Sequence, residues 1–251
     1  MSLSTMLSYG FVILAIICSA NSESSLPSYI QPCSFKDKSI NDCIKEQIEK
    51  ALPEFTKGIS ELGVPSTDPV KLDDIVIDGN GLKLVFTEAS MHGLKNAKLT
   101  DFKINFGKND EAFKIVFISN LKLLGKYEAD GKILILPIQG KGDATIDAQN
   151  IEVTIESKLV HFKDSNGEHF KLIAPSYKYT IQKTTFELKN LFNGNKQLSD
   201  STHQFANENW QQLMDDLAPP VIKQIVKTVI KAINKFFSNV TIDQIVKDFR
   251  P

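Results

Sequence analysis

The side chains best suited to proton transfer or metal ligation are four histidines, His92, His161, His169 and His203, and their spacing serves neither purpose. They are scattered along the chain, no H-E-x-x-H places two on one helix face, and no metal site is expected. In the carboxylate pairs Asp73-Asp74 and Asp215-Asp216 the two members are adjacent and so point in different directions; they read as solvated surface. No G-x-S-x-G marks a nucleophile elbow. Gly79-Asn80-Gly81 and Gly140-Lys141-Gly142 lack the third glycine of a dinucleotide loop and lie between strand-like runs, which makes them turns. The chain is expected not to be an enzyme and to carry no cofactor.

Composition narrows the partners. The 251 residues are 42% apolar and 24% charged, and 29 Lys+Arg against 30 Asp+Glu leave a net charge of −1. That is ordinary globular composition, and it is too neutral for a nucleic-acid binder. Arg250 is the only arginine, so the planar fork that grips phosphates is nearly absent. No nucleic-acid partner is expected.

The first 20 residues hold no charge, and the apolar run from Phe11 to Cys18 is followed by Ser19-Ala20. Small residues there suit signal-peptidase cleavage, and the run is too short to span a bilayer, so residues 1–20 read as a secretory signal peptide. Cleavage removes Cys18. Cys33 and Cys43 remain, ten apart in an oxidising compartment, and are expected to pair. A loop that short contributes ~2–3 kcal/mol, enough to pin a local segment and too little to hold up the rest.

The elements follow from hydrophobic period. Ile40, Ile44, Ile48, Leu52, Phe55, Ile59 and Leu62 recur at helical spacing; Ser39 with Asp42 has the form of a capping box, and Pro53 predicts a kink or two short helices. From about Lys71 to Phe192 the period is two. Phe113, Ile115, Phe117, Leu121, Leu123 and Tyr127 share one parity over fifteen positions, roughly 50 Å as a single strand. A parity switch between Ala148 and Ile151 predicts a bulge or bend. Asp130-Gly131 and Asn166-Gly167 are hairpin signals, so the sheet is antiparallel.

Helical spacing returns with Phe205, Leu213 and Leu217, and a second helix is expected after Pro219-Pro220. Val221, Ile222, Ile225, Val226, Val229, Ile230, Ile233, Phe236 and Phe237 fill an arc of roughly 180°. Lys223, Gln224, Lys227, Thr228, Lys231, Asn234 and Lys235 fill the other side and read as a solvated face. Only the sheet is large enough to cover so wide an apolar arc. With no linker, repeat or low-complexity tract, residues 21–251 are expected to form one α+β domain: an N-terminal helix and a long curved antiparallel sheet with a long C-terminal helix laid along it or wrapped by it, the wrapped form being what the resemblance described next implies. Periodicity alone leaves two interiors open, a solid core or an elongated apolar tunnel.

A resemblance separates them. Pro32-Cys33, Cys43, Leu52-Pro53, Gly58-Ile59 and Val64-Pro65-Ser66-Thr67-Asp68-Pro69 resemble the opening of the insect takeout and juvenile hormone binding protein family. Met91-His92-Gly93-Leu94 resembles a turn between its early strands. Leu191-Phe192-Asn193-Gly194-Asn195-Lys196-Gln197-Leu198, followed by Asn207-Glu208-Asn209-Trp210, is similar to the motif preceding its long helix. A single cysteine pair matches the takeout branch. The resemblance implies an internal hydrophobic tunnel and a monomer secreted into haemolymph or sensory fluid. It also implies a circadian or feeding-related setting and a small lipophilic ligand: a juvenile-hormone-like terpenoid, a fatty acid or a related lipid.

Parity and the helical arc select the lining of such a tunnel as Phe86, Phe102, Phe117, Leu121, Tyr127, Leu134, Leu136, Ile155, Phe186, Leu217, Val221, Ile225, Val229, Ile233 and Phe236. Asn239-Val240-Thr241 is the one glycosylation sequon. The competing reading is a membrane-active protein, in which Lys223, Lys227, Lys231 and Lys235 form a basic stripe and the partner is a transient membrane or receptor surface. An esterase is the third reading, without a visible nucleophile.

Overall fold

The computed structural model describes residues 26–107 and 111–250, so the expected signal peptide lies outside the described residues. In chain order the elements are β1 (Cys33–Ser34), α1 (Ile40–Phe55), β2 (Val70–Lys71), β3 (Ile75–Gly79), β4 (Leu82–His92), β5 (Lys98–Asn105), β6 (Ala112–Ile133) and β7 (Leu136–Lys163). Then come β8 (Glu168–Thr180), β9 (Lys183–Leu188), α2 (Lys196–Glu208), α3 (Trp210–Phe237), α4 (Ile242–Ile245) and β10 (Val246–Lys247). The architecture is α+β.

One eight-stranded antiparallel sheet runs β2-β4-β6-β7-β8, with β3 beside β4, β5 beside β6 and β9 beside β7. β6 and β7 are its spine, paired from Ala112 opposite Lys158 to Ile133 opposite Leu136. Strands of 22 and 28 residues must bend to cover a core, and bulges supply the bend. Where the parity switch falls, Ser119 pairs Ile151 and Leu121 pairs Ala148, leaving Gln149 and Asn150 opposite Asn120. Asn150 takes φ +46°, and its N–H donates to Asn120 Oδ1 at 2.8 Å. Further register shifts lie between Thr87 and Ser90 and between Glu156 and Lys158, beside the positive φ of Glu88 and Ala174.

Several local expectations are corrected. Ser39 caps nothing with its side chain: its hydroxyl donates to Asp37 Oδ1 at 2.8 Å, and the reciprocal capping box forms at Thr241 and Gln244 instead. Helix α1 runs unbroken through Pro53, whose missing N–H falls in the last turn. Asp130-Gly131 is not a hairpin but part of β6; the β6–β7 turn is Leu134-Ile135, with Leu134 at φ +55°. Gly131 is glycine for another reason. At φ +121° a Cβ there would sit 2.1 Å from Gly81 O. Residues 164–167, which include Asn166-Gly167, do connect β7 and β8.

Pro219 and Pro220 lie inside one continuous α3 and do not precede it. The two carbonyls they leave without helical donors belong to Asp215 and Asp216, both exposed to water. Helix α3 buries Leu213, Ala218, Ile222, Ile225, Val226, Ile230, Ala232 and Phe236, and packs along β8, β9 and β3. Gln224 and Asn234 are half-buried rather than solvated, and both bond to backbone of the sheet layer. Helix α1 closes the opposite flank against β5, and the parallel pair β1–β10 ties the N-terminal segment to the C-terminus.

Candidate functional site

The helical stripe Ile44, Ile48, Leu52 and Phe55 of α1 faces a second stripe, Val229, Ile233, Phe236 and Phe237, at the C-terminal end of α3. Between them and the sheet residues Phe102, Phe113, Phe117, Ile155 and Phe170 lies a cavity of about 230 Å³. One buried water occupies about 10–15 Å³ on this measure, so the space equals on the order of 500 Å³ of liquid, within the range of small-molecule sites. Among the described residues its lining holds no charged side chain, and its polar members are Gln31, Gln47, Thr56 and Thr67.

Three devices fix the α1 wall. A Cys33–Cys43 disulfide, with Cα atoms 6.0 Å apart, ties β1 to the first turn of α1. Ile104 N–H donates to Asn41 Oδ1 at 2.6 Å, and Asn41 Nδ2 returns a bond to Ile104 O at 3.3 Å. Gln31 N–H donates to Gln47 Oε1 at 2.9 Å on the exposed rim. At one side Phe35, Phe106, Phe170, Phe237 and Phe249 form an aromatic wall with ring centroids 5.2–5.8 Å apart.

A smaller cavity of about 40 Å³ lies under the N-terminal half of α3, walled by Phe86, Leu121, Leu217 and Val221 among others. Of the fifteen residues selected from sequence, Phe102, Phe117, Ile155, Val229, Ile233 and Phe236 line the larger space and those four the smaller. The other five line neither. Leu134 is in the hairpin turn and Leu136 adjoins it. Tyr127 is buried with its hydroxyl donating to Lys189 O at 2.8 Å, and Phe186 is core beside Asn207. Ile225, 3% exposed, stands on α3 between the two cavities. The sequence reading missed the α1 stripe, Ile30 and Ile245. The stripe was visible, but nothing in the period says that it faces α3 across a gap.

The histidines hold structure. Leu188 N–H donates to His203 Nε2 at 2.8 Å, and His92 Nε2 is 3.0 Å from Ser90 Oγ. His161 sits edge-on to Phe170, its Nδ1 3.0 Å from Glu168 and its Nε2 2.8 Å from Glu111. His169, 1% exposed, places Nδ1 2.8 Å from Phe237 O and Nε2 3.1 Å from Asp164 Oδ1. Backbone donation from Asn166 is the main cause that holds the Asp164 carboxyl below its usual range. Among the described residues no cluster of His, Cys, Asp and Glu could hold a metal, and no helix is long and apolar enough to cross a membrane.

A long helix laid along a curved antiparallel sheet, with an apolar-lined cavity beneath it, has the character of a small-molecule binding site. The chain belongs to the haemolymph juvenile hormone binding protein family, whose family model matches residues 12–247. It is 29% identical to the circadian clock-controlled protein daywake of Drosophila melanogaster over 91% of each chain. The daywake of Drosophila yakuba is 30% identical over 88% of each. A putative beta-carotene-binding protein of Schistocerca gregaria is 21% identical over 80% of this chain and 81% of that one. Among solved structures, Takeout 1 of Epiphyas postvittana superposes with a TM-score of 0.79 at 31% identity, covering 87% of this chain and all of that one.

Proposed function

We propose that this protein is a secreted carrier that holds a small lipophilic molecule, a juvenile-hormone-like terpenoid, fatty acid or related lipid, in the cavity between α1, α3 and the sheet. The observation that carries this reading is the lining: many apolar side chains around a void and, among the described residues, no charged side chain. Family membership supports it, and so does the beta-carotene named for one relative. On this reading residues 1–20 are the signal peptide and residues 21–251 act as one monomeric ligand-binding domain in haemolymph or sensory fluid. Asn239 is the proposed glycan site. Its Nδ2 donates to Lys235 O at 2.8 Å and Leu62 O at 3.1 Å, so a glycan must be attached before that corner closes.

Native mass spectrometry of the protein secreted from insect cells tests the carrier. A stoichiometric lipophilic molecule released intact supports it; an empty protein that binds no apolar probe refutes it. One observation favours a second reading, a lipid-surface protein. Lys223, Lys227, Lys231 and Lys235 are all exposed along α3, with no ion-pair partner among the described residues. Anionic vesicles that pull down the wild type but not Lys227→Glu would establish that reading.

A further inference from the structure

We propose that the turn of the β6–β7 hairpin is a membrane-docking tip, which seats Ile135 at the headgroup boundary of a zwitterionic phospholipid surface. The proposal is independent of what the cavity holds, and it concerns a different part of the molecule from the lysines of α3.

The turn is two residues long, because Ile133 pairs with Leu136 across it. Leu134 takes φ +55°, a backbone that two-residue hairpin turns usually give to Gly, Asn or Asp. The chain follows that rule elsewhere. The β3–β4 turn is Asn80-Gly81, with Asn80 at φ +54°, and the β7–β8 turn carries Asn166-Gly167. At the β6–β7 turn the same positions are leucine and isoleucine. Leu134 is half-buried and packs against the core, which fixes the turn, while Ile135 stands in water. At 78% exposure Ile135 is the most exposed large apolar residue among those described. A left-handed leucine that presents an isoleucine to solvent costs stability twice, so folding does not explain it.

The surroundings fit a lipid surface. Residues 131–141 hold no carboxylate. Lys132, three positions before Ile135, is exposed and has no ion-pair partner among the described residues. Its ammonium can meet lipid phosphate while Ile135 enters the apolar boundary. One cation gives little preference for an anionic membrane, so phosphatidylcholine suffices. A protein partner fits less well: a specific interface takes ~800 Å² from each side, and a two-residue turn does not supply it.

The experiment is flotation of the secreted protein with dioleoylphosphatidylcholine vesicles. The wild type should float with the lipid. Ile135→Ser should partition about tenfold less while its melting temperature stays that of the wild type. Ile135→Trp should float like the wild type, and brominated phosphatidylcholine should quench its fluorescence more than that of the wild type, whose one tryptophan is Trp210. Lys227→Glu should float unchanged, which separates the tip from the α3 lysines. A wild type that stays in the buffer, Ile135→Ser that floats as well, or Ile135→Trp without added quenching would overturn the tip. A wild-type dimer in sedimentation that Ile135→Ser dissociates would also overturn it, in favour of a second copy as the occupant. None of these outcomes bears on the carrier reading, which the cavity alone decides.

Discussion

The Asn234 side chain closes a two-bond ring on the backbone of Leu172: Oδ1 accepts from Leu172 N–H at 2.8 Å and Nδ2 donates to Leu172 O at 2.9 Å. Strand β8 ends the sheet, and an open edge exposes backbone groups that would otherwise seek another chain. The same device recurs. Asn207 of α2 takes Phe186 of β9 at 2.7 and 3.4 Å, and Asn41 of α1 takes Ile104 of β5 as described. Gln224 of α3 takes Asp73, just after β2, at 2.7 and 3.4 Å. Each of these helices is docked by an amide that imitates one more strand residue, which sets its register against the sheet as apolar packing alone cannot.

Asn234→Ala should therefore cost more than a surface substitution. It leaves both backbone groups of Leu172, a residue 2% exposed, without partners, for a loss of ~1–3 kcal/mol. Urea unfolding measures it. A loss below about 0.5 kcal/mol would mean that water replaces the amide and that the clasp contributes nothing.

How much of this was legible in the sequence depended on range. The periods gave the sheet, both long helices and even the bulge beside Asn150, because side-chain alternation is a local property of the backbone. Asp130-Gly131 misled because its glycine answers a neighbouring strand, Gly81 on the β3–β4 turn, and not its own turn. Pro219-Pro220 misled because a helix tolerates lost bonds where the residues left without donors, here Asp215 and Asp216, are exposed. Asn41, Asn207, Gln224 and Asn234 look like ordinary polar helix positions; their partners are 21 to 151 residues away. The same limit hid the α1 wall of the cavity. A stripe shows that a face is buried, and only the fold shows whether it meets side chains or space.

The disulfide should act locally. Replacing Cys33 and Cys43 together with serine removes a ten-residue loop constraint worth ~2–3 kcal/mol. Because α1 carries Ile44, Ile48 and Leu52 of the cavity, apolar-probe affinity should fall as well, while far-ultraviolet circular dichroism stays that of the wild type. Thiol titration of untreated protein that detects a free sulfhydryl would contradict the bridge.

Burial pushes the Tyr127 phenol up to about 12, above its ordinary value near 10. A phenol whose folded value is raised stabilises fully below the unfolded value and loses that contribution as pH rises through the folded one. Stability should fall between about pH 10 and 12, and Tyr127→Phe should flatten that limb at the expense of the bond to Lys189 O. Burial raises Tyr29 and Tyr179 in the same direction, so the flattening should be partial. Alkaline unfolding curves that superpose for wild type and variant would remove Tyr127 as the cause.

Two tryptophan substitutions one helical turn apart on α3 separate cavity from core. Val229 is half-buried and lines the larger space, whereas Ile225, one turn earlier, is 3% exposed and lines neither cavity. Val229→Trp should place its ring in the void, abolish binding of a long apolar probe and leave the melting temperature nearly unchanged. Ile225→Trp should overpack a filled site and cost ~1–3 kcal/mol. Lys227→Glu, exposed between them, is the control and should alter neither property. Calorimetry and probe titration on the three variants read both quantities at once. Should Val229→Trp unfold the protein as readily as Ile225→Trp, or bind probe like the wild type, the space beneath the C-terminal half of α3 is not where a ligand sits.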